Sequence, residues 1–277
     1  MSVFVQQEGT LCSFDTSDNW VILSPIEQSI KKKIELRGTP LKKWNIQINY
    51  GIKTGCNEAF IISSEKRDQI LDNCKTLAER ERTAELIRPI LRGRDIKQYG
   101  FEWADLWLIN THNGVRPNIP RIDINEYPAI KAHLDDFFEK LAKRADKGET
   151  PYNLRNCAYL EDFSKPKIVY NDITQRLSFA LSVKGEFMNN TVYYISSDNL
   201  KLLDYLLKIL NSKLIDWYYR TISVQLGEKA VRMFSIYVLQ IPVPLDINAD
   251  IDNDTSIYEL YGLTDAEGRF IDSFYTE

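Results

Sequence analysis

The irregular succession of short strand-like and helix-like segments constrains this 277-residue chain more than any other feature. Alternating or continuous apolar runs predict strands near 45–50, 59–62, 107–110, 167–173, 177–183, 191–196 and 237–241. Helical spacing of apolar residues predicts helices near 25–37, 64–74, 78–88, 126–144 and 198–222. Because strands and helices do not alternate regularly, the pattern favours the α+β class, with mixed sheets and flanking helices.

Composition excludes several classes of protein. The hydrophobic fraction of 44% and the charged fraction of 27% are ordinary for a globular protein. No apolar stretch is long enough to cross a bilayer, and the first residues do not resemble a signal peptide, so a cytoplasmic location is expected. The four cysteines are too scattered for a metal site and are expected to be free thiols. With only two histidines, a histidine-rich metal centre is also excluded.

The net charge of −4 at first argues against a nucleic-acid partner. Residues 245–277, however, hold nine acidic residues and one basic residue. Residues 1–244 therefore contain 30 acidic and 34 basic residues, a balance of +4. The main part of the chain is mildly basic with an acidic tail attached, which permits a basic face without requiring one.

Motifs that carry catalysis are absent from the sequence. It has no Asn/Asp-Pro-Pro-aromatic turn, which in amino-methyltransferases holds the target base. It also has no glycine-rich dinucleotide or phosphate loop, no GxSxG elbow and no convincing nuclease motif. The carboxylates of Asp135, Asp136 and Glu139 lie on a predicted helix, where a solvated face explains them better than a metal site. We therefore expect no catalytic residue, metal or cofactor in this chain.

Several short motifs occur in an order and spacing that resemble one known family. They are Leu41-Lys42-Lys43-Trp44, Gly51-Ile52-Lys53-Thr54-Gly55, Ile87 to Ile96 (IRPILRGRDI), Thr111-His112-Asn113-Gly114, Tyr127-Pro128-Ala129-Ile130-Lys131, Asp146-Lys147-Gly148, Thr150-Pro151-Tyr152, Lys165-Pro166-Lys167-Ile168, Leu210-Asn211-Ser212-Lys213-Leu214, Leu226-Gly227 with Arg232, and Ile241-Pro242-Val243-Pro244. Together they resemble the TaqI-like C-terminal specificity domain of Type IIG restriction-modification enzymes and adenine-N6 DNA methyltransferases. The resemblance covers roughly residues 20–244 and continues into 260–264.

This resemblance implies that the chain recognises a short sequence in double-stranded DNA. A methyltransferase domain N-terminal to it, or a separate methyltransferase subunit, would flip and methylate the adenine, and a nuclease domain or subunit would cleave the DNA. S-adenosylmethionine and Mg²⁺ would belong to those missing domains. Residues 1–20 would be the lead-in from that domain, 21–244 the target recognition domain, which ends in the helical segment 198–222 and the strand 237–241, and 245–277 the acidic tail.

Two predicted turns carry basic candidates for DNA contact. Arg92 and Arg94 flank a glycine, and the arginine fork fits either guanine or a phosphate. An ion pair with Asp95 or another internal acid is the alternative use of either arginine. Lys53 and Thr54 lie in a glycine-flanked turn that is suited to a phosphate, although a simple hairpin turn explains them nearly as well.

Further candidates follow the predicted strands. His112 and Asn113 form a polar tip, where structural use in an Asn-Gly turn is favoured for Asn113. Arg155 and Arg176 follow or join predicted strands, and Arg232 belongs to a motif of the resemblance. The strand end and turn formed by Tyr170, Asn171 and Asp172 would suit base recognition in the major groove.

Two other functions remain open from the sequence. The chain could be a protein-interaction or specificity subunit that docks a separate methyltransferase through its acidic tail and the 198–222 segment. It could also be a nuclease or methyltransferase with a divergent site.

Overall fold

The computed structural model describes residues 23–227 and 229–276. The described helices, in chain order, are α1 (Pro25–Arg37), α2 (Asn57–Phe60), α3 (Ser64–Asp72), α4 (Leu77–Leu86), α5 (Pro128–Asp135), α6 (Phe138–Lys143), α7 (Leu200–Leu210), α8 (Lys213–Ile222), α9 (Ser235–Val238), α10 (Asp254–Leu260) and α11 (Asp265–Ser273). The described strands are β1 (Thr39–Pro40), β2 (Gln47–Tyr50), β3 (Ile61–Ser63), β4 (Ile87–Leu91), β5 (Ile96–Lys97), β6 (Gly100–Phe101), β7 (Leu106–Ile109), β8 (Lys167–Asn171), β9 (Ile173–Thr174), β10 (Phe179–Ser182), β11 (Phe187–Met188), β12 (Val192–Ser196), β13 (Gln225–Leu226), β14 (Ala230–Arg232) and β15 (Pro242–Val243). The predicted α+β class with mixed sheets and flanking helices is confirmed.

The chain forms two compact units. The larger unit contains residues 47–173 and 178–203, and the terminal unit contains the described residues up to 46, residues 174–177 and the chain from 204 onward. The predicted lead-in 1–20 lies outside the described residues. Within the described part of the chain, no helix is long and apolar enough to span a bilayer. Cys56, Cys74 and Cys157 are free thiols, and Cys12 lies outside the described residues.

An antiparallel sheet of the order β10-β8-β12-β2 forms one layer of the larger unit. Its strands are rich in β-branched and aromatic residues, which pack well on a pleated surface. Tyr193 pairs with Tyr170 on one side and with Tyr50 on the other. The rings of Tyr170 and Tyr193 stack with their centroids 5.6 Å apart. This cross-strand aromatic row fixes the register of the sheet.

A second, mixed sheet has the order β11-β4-β7-β3, in which β11 runs parallel to β4. A single apolar cluster joins the two sheets and includes Leu91, Leu108, Val169 and Tyr194. The loops that follow β4 and β8 therefore begin on strands that are held firmly in the core of the larger unit.

Arg144 anchors the loops at the edge of this core. Its guanidinium donates to the carbonyl oxygens of Pro151 at 3.0 Å and Asn153 at 2.6 Å, and also to that of Thr54. The guanidinium carbon lies 4.5 Å from the ring centroid of Phe60. Burial lowers the pKa of Arg144 to about 10, so the side chain remains charged at neutral pH. One arginine thus ties three separate backbone segments together.

In the terminal unit, residues 245–276 form part of the fold. Helices α10 and α11 pack against α8, and their apolar residues Ile257 and Ile271 are buried. Glu267 accepts hydrogen bonds from Ser29 and Lys33 of α1 at 2.7 and 2.6 Å. Burial opposes its ionisation, but hydrogen bonds from Lys33, Thr264 and Ser29 outweigh that effect and lower the pKa of Glu267 to about 2. The segment predicted as an acidic tail instead forms two helices whose apolar faces are buried.

Three predicted elements need correction. The expected strand 237–241 is instead the short helix α9 and a turn, because the carbonyl of Phe234 accepts from the N–H groups of Tyr237 and Val238. The expected helix 126–144 is interrupted, since the N–H of Phe137 bonds to Leu134 three residues back. The first half of the expected strand 59–62 belongs to α2. The segment 198–222 is helical as predicted, as α7 and α8.

We predict that stability falls as the pH drops from 7 to 5. Burial lowers the pKa of His133, outweighing its hydrogen bond to the carbonyl of Ala59. Burial likewise lowers the pKa of His112. A lowered pKa means that the folded state favours the neutral ring, so this stability is complete above about pH 6.5 and is lost as the pH falls below it. Urea unfolding at a series of pH values measures the slope.

The variant His133→Leu is the control for this prediction. It removes one of the two histidines in the sequence, so its stability should depend less on pH between 7 and 5, whatever its absolute stability. The pH dependence of the free energy of unfolding could also stay as it is in the unaltered chain, both in this variant and in the variant that also carries His112→Leu. That result would contradict the claim that the two histidines cause it.

Candidate nucleic-acid interface

A surface cleft of about 360 Å³ lies in the larger unit where β4 and β8 end. It is called here the Arg94 cleft, and its lining residues are Arg92, Gly93, Arg94, Asn171, Asp172, Ile173, Asn189 and Thr191. The cleft brings together two of the predicted sets of DNA-contact residues, which are far apart in the sequence. The connection between β11 and β12 supplies the remaining lining residues.

Arg92 holds the loop that follows β4. Its Nε and Nη2 atoms donate to the two carboxylate oxygens of Asp95 at 3.1 and 2.8 Å, and Asp95 is only 4% exposed. The backbone N–H of Arg92 donates to the same carboxylate at 2.8 Å. The hydrogen bond with Asp95 raises the pKa of Arg92, so its charge is permanent. Of the two uses that the sequence left open for Arg92, the structure shows the internal ion pair.

Arg94, by contrast, is exposed at the cleft, and its guanidinium has no hydrogen-bond or ion-pair partner among the described residues. The neighbouring Gly93 N–H donates to Oγ1 of Thr191 at 2.9 Å. A Cβ atom at Gly93 would lie 2.9 Å from the Thr191 carbonyl oxygen, so only glycine allows this close approach. The loop is therefore fixed while the Arg94 side chain is left available for a phosphate or a guanine.

A chain of hydrogen bonds joins the end of β8 to the loop after β4. The N–H of Asp172 donates to the Thr191 carbonyl at 3.0 Å, and Oγ1 of Thr191 donates to Oδ1 of Asn189 at 2.6 Å. Asn171 donates from Nδ2 to the carbonyl of Ile173 at 2.9 Å. Asp172 adds a carboxylate to the cleft, an acceptor that suits the amino group of cytosine.

The turn at Lys53 and Thr54 is built differently from the expectation. Thr54 is 1% exposed, and its hydroxyl donates to Oδ1 of Asn57 at 2.6 Å. Contact between the Thr54 side chain and DNA is therefore corrected to a structural role inside the turn. The Lys53 ammonium lies 5.7 Å from the ring centroid of Tyr50, and its side chain is half-buried.

Tyr170 is a second correction. It is fully buried, and its ring lies against those of Phe179 and Tyr193, with centroids 5.2 and 5.6 Å away. The Tyr170 side chain points from β8 into the core, where it belongs to the aromatic row of the sheet. A base cannot reach it there.

Asn113 serves the structural role that the sequence favoured. Its Nδ2 donates to Oδ1 of Asn156, and its Oδ1 accepts from the N–H of Glu149 at 2.8 Å. Nδ1 of His112 accepts from the Gly114 N–H at 3.2 Å, which assigns the proton of the neutral ring to Nε2. His112 lines a different cleft of the larger unit, described below.

The remaining predicted arginines do not line the Arg94 cleft. Arg155 is exposed and forms an ion pair with Asp146 at 3.0 Å. Arg176 and Arg232 belong to the terminal unit. The guanidinium carbon of Arg176 lies 5.3 Å from the ring centroid of Tyr275, and that of Arg232 lies 5.3 Å from the ring centroid of Phe234.

Sequence reasoning missed Asn189 and Thr191. Both help to form the Arg94 cleft, and Thr191 bonds to the loop after β4. The signal was the polar run Asn189-Asn190-Thr191 between two apolar strand segments. That run indicates a turn, but nothing local in it indicates which distant loop it contacts.

Comparison with known proteins identifies the family of this chain. A model of the TaqI-like C-terminal specificity domain matches residues 88–243, which is more than half of the chain. The chain belongs to this family. Every residue of the Arg94 cleft lies inside the matched span of the TaqI-like domain, and the resemblance found in the sequence is confirmed.

The chain is similar to parts of larger enzymes. It is 21% identical over 270 residues to the Type II methyltransferase M.PaeR7I of Pseudomonas aeruginosa, a match that covers 91% of this chain and 44% of that protein. The fold is similar to that of the Type IIL restriction-modification enzyme MmeI, solved in complex with DNA (TM-score 0.52, 15% identity, 73% of this chain and 25% of that chain). It is also similar to the Type IIG restriction endonuclease BpuSI (TM-score 0.51, 15% identity, 88% of this chain and 27% of that chain). The chain is thus a specificity domain related to such enzymes, and it spans less than half the length of each.

Proposed function

We propose that this domain recognises a short sequence in double-stranded DNA and positions the duplex for adenine-N6 methylation, and for cleavage, by a catalytic domain or subunit outside this chain. S-adenosylmethionine and Mg²⁺ would be bound by that catalytic part. The proposal rests on the Arg94 cleft, which is lined by the carboxylate of Asp172 and by Arg94, whose guanidinium has no partner among the described residues, on loops held by the Gly93–Thr191 hydrogen bond.

The chemistry of the cleft supports base recognition. Arginine is suited to the O6 and N7 atoms of guanine, and a carboxylate is suited to the amino group of cytosine. The two therefore complement the two bases of one G·C pair in the major groove. The family membership and the fold shared with MmeI, an enzyme solved with DNA, support the same function.

We predict that the chain binds duplex DNA weakly, with an affinity that falls steeply as salt is raised. Binding should be weak because the catalytic half that encloses the duplex is supplied elsewhere, and salt-dependent because lysine and arginine displace counterions from phosphates. Fluorescence anisotropy of a labelled duplex, measured over a range of salt concentrations, checks this.

Ligand-binding, cleavage and pull-down assays of the purified chain separate the proposal from its alternatives. Binding of S-adenosylmethionine, or metal-dependent cleavage of DNA by the purified chain, would show a complete enzyme and contradict the proposal. Capture of a methyltransferase by a chain that has no affinity for DNA would instead show a protein-docking subunit.

A further inference from the structure

A second cleft of the larger unit, of about 500 Å³, lies beside β4 and the end of β7. It is called here the Asn110 cleft. Arg88 of β4 pairs with Leu108 of β7, and the N–H of Asn110 donates to the carbonyl of Leu86 at 3.1 Å. Paired residues and residues two apart along a strand point to the same face of a sheet. Because Arg88 pairs with Leu108 and Asn110 lies two residues after Leu108, the side chains of Arg88 and Asn110 lie on one face. Both line the cleft, together with His112, Tyr127 and Phe187.

Two buried polar atoms in the lining of the Asn110 cleft have no hydrogen-bond partner among the described residues. Asn110 is only 7% exposed, and its Oδ1 atom has no hydrogen-bond partner among the described residues. The Nε atom of Arg88 is also buried without a partner in the described chain. Burying a polar group without a hydrogen-bond partner destabilises the folded state. Two such groups on neighbouring strands are a cost that the fold alone does not explain, and a ligand that bonds to them would remove it.

The lining charges favour a neutral ligand. Arg82 and Arg88 are matched by Glu85 and Glu161, and burial lowers the pKa of His112, so its ring is neutral at pH 7. A phosphate or a carboxylate would meet two acidic side chains at this site. The cleft therefore suits an uncharged group that forms hydrogen bonds.

The shape of the available groups narrows the ligand further. A carboxamide offers one acceptor and one donor side by side, which matches the edge of a nucleobase, as in the pairing of asparagine with adenine. Tyr127 supplies a half-buried aromatic ring against which a base can stack. Phe187 is buried: its ring stacks on that of Phe163 with the centroids 4.6 Å apart, and the guanidinium carbon of Arg88 lies 5.9 Å from its centroid. The volume lies within the range of about 300–1,000 Å³ that is typical of small-molecule sites.

We propose that the Asn110 cleft binds a single unpaired nucleobase. The base comes either from a DNA strand, as an extrahelical nucleotide, or from a free nucleoside. This site is separate from the Arg94 cleft, which shares no lining residue with it.

The test compares the full chain with its Asn110→Leu variant. Ligand-observed NMR is recorded with adenosine, guanosine, cytidine and thymidine, and we expect at least one to bind with a Kd on the order of 1 mM. Leucine removes both polar atoms at similar volume, so binding should weaken by about tenfold or more. Thermal stability should stay equal or rise, because an unpaired polar group has been replaced by an apolar one.

Two duplexes distinguish the sources of the base. If the unaltered chain prefers a duplex with one bulged nucleotide over a fully paired duplex, and Asn110→Leu abolishes that preference, the base comes from the strand. Nucleoside binding without such a preference identifies a free nucleoside as the ligand. If neither nucleosides nor the bulged duplex bind in a manner that depends on Asn110, or if Asn110→Leu destabilises the fold, the proposal is overturned. Arg94→Ala should leave nucleoside binding intact, so failure of the proposed function would be seen separately.

Discussion

Replacing Arg94 with alanine is expected to weaken binding of the recognised duplex by about 1–3 kcal/mol, or roughly 5- to 150-fold. The reason is that Arg94 is exposed at its cleft and its guanidinium makes no internal bond among the described residues, so its full donor set is available to DNA. Arg94→Lys should recover only part of the loss if the contact is bidentate, because an ammonium lacks the planar fork. Anisotropy titrations at fixed salt measure the change.

A charge-matched control tests whether the loss is specific to that position. Arg80 carries the same charge on α4, where it pairs with Asp72 at 2.9 Å and lines neither cleft. Arg80→Ala should therefore change the affinity little. If both substitutions reduce binding equally, the Arg94 cleft has no special role and DNA is held by general charge alone.

The second large effect concerns stability. Arg144→Met keeps much of the side-chain volume but leaves three backbone carbonyls without their charged donor. Hydrogen bonds to charged groups contribute about 1.5–3 kcal/mol each and are not additive, so we expect a loss of about 3–5 kcal/mol. Arg144→Lys keeps the charge without the fork and should lose less. Urea denaturation followed by circular dichroism gives both values.

The adjacent Lys143 provides the comparison for Arg144. It is the last residue of α6, directly before Arg144, and it is exposed, so Lys143→Met should change stability by no more than about 0.5 kcal/mol. A loss for Arg144→Met that is no larger than this would show that the three loops are held by other contacts.

Local pattern was sufficient for much of the fold. The helices at 25–37, 64–72 and 77–86 and the strand at 192–196 lie close to the predicted positions, since each has strong periodicity or a capping signal. The prediction of a strand at 237–241 was wrong because periodicity does not distinguish a brief strand from a helical turn. The break at Phe137 was missed because apolar residues continue at helical spacing through it, from Leu134 to Leu141, although the N–H of Phe137 bonds to Leu134 only three residues back.

The candidate site was predictable in its parts but not in its assembly. The sequence indicated Arg94 and Asp172 separately, each after an apolar strand. Their approach depends on the pairing of β8 with β12 and on the Thr191 contact with Gly93. Those contacts join distant segments, and neither leaves a local signal. Burial also decides which residues of one predicted set can reach DNA: Tyr170 is buried, whereas its neighbours Asn171 and Asp172 line the cleft.

Selection of duplexes from a random pool by the full chain tests whether this domain reads a DNA sequence. At low salt and high protein concentration, we expect enrichment of a short common sequence, and a relaxed preference at one base pair when the Arg94→Ala variant is used instead. Recovery of unbiased sequences by the unaltered chain, or an enriched sequence that Arg94→Ala leaves unchanged at every position, would contradict the proposed function.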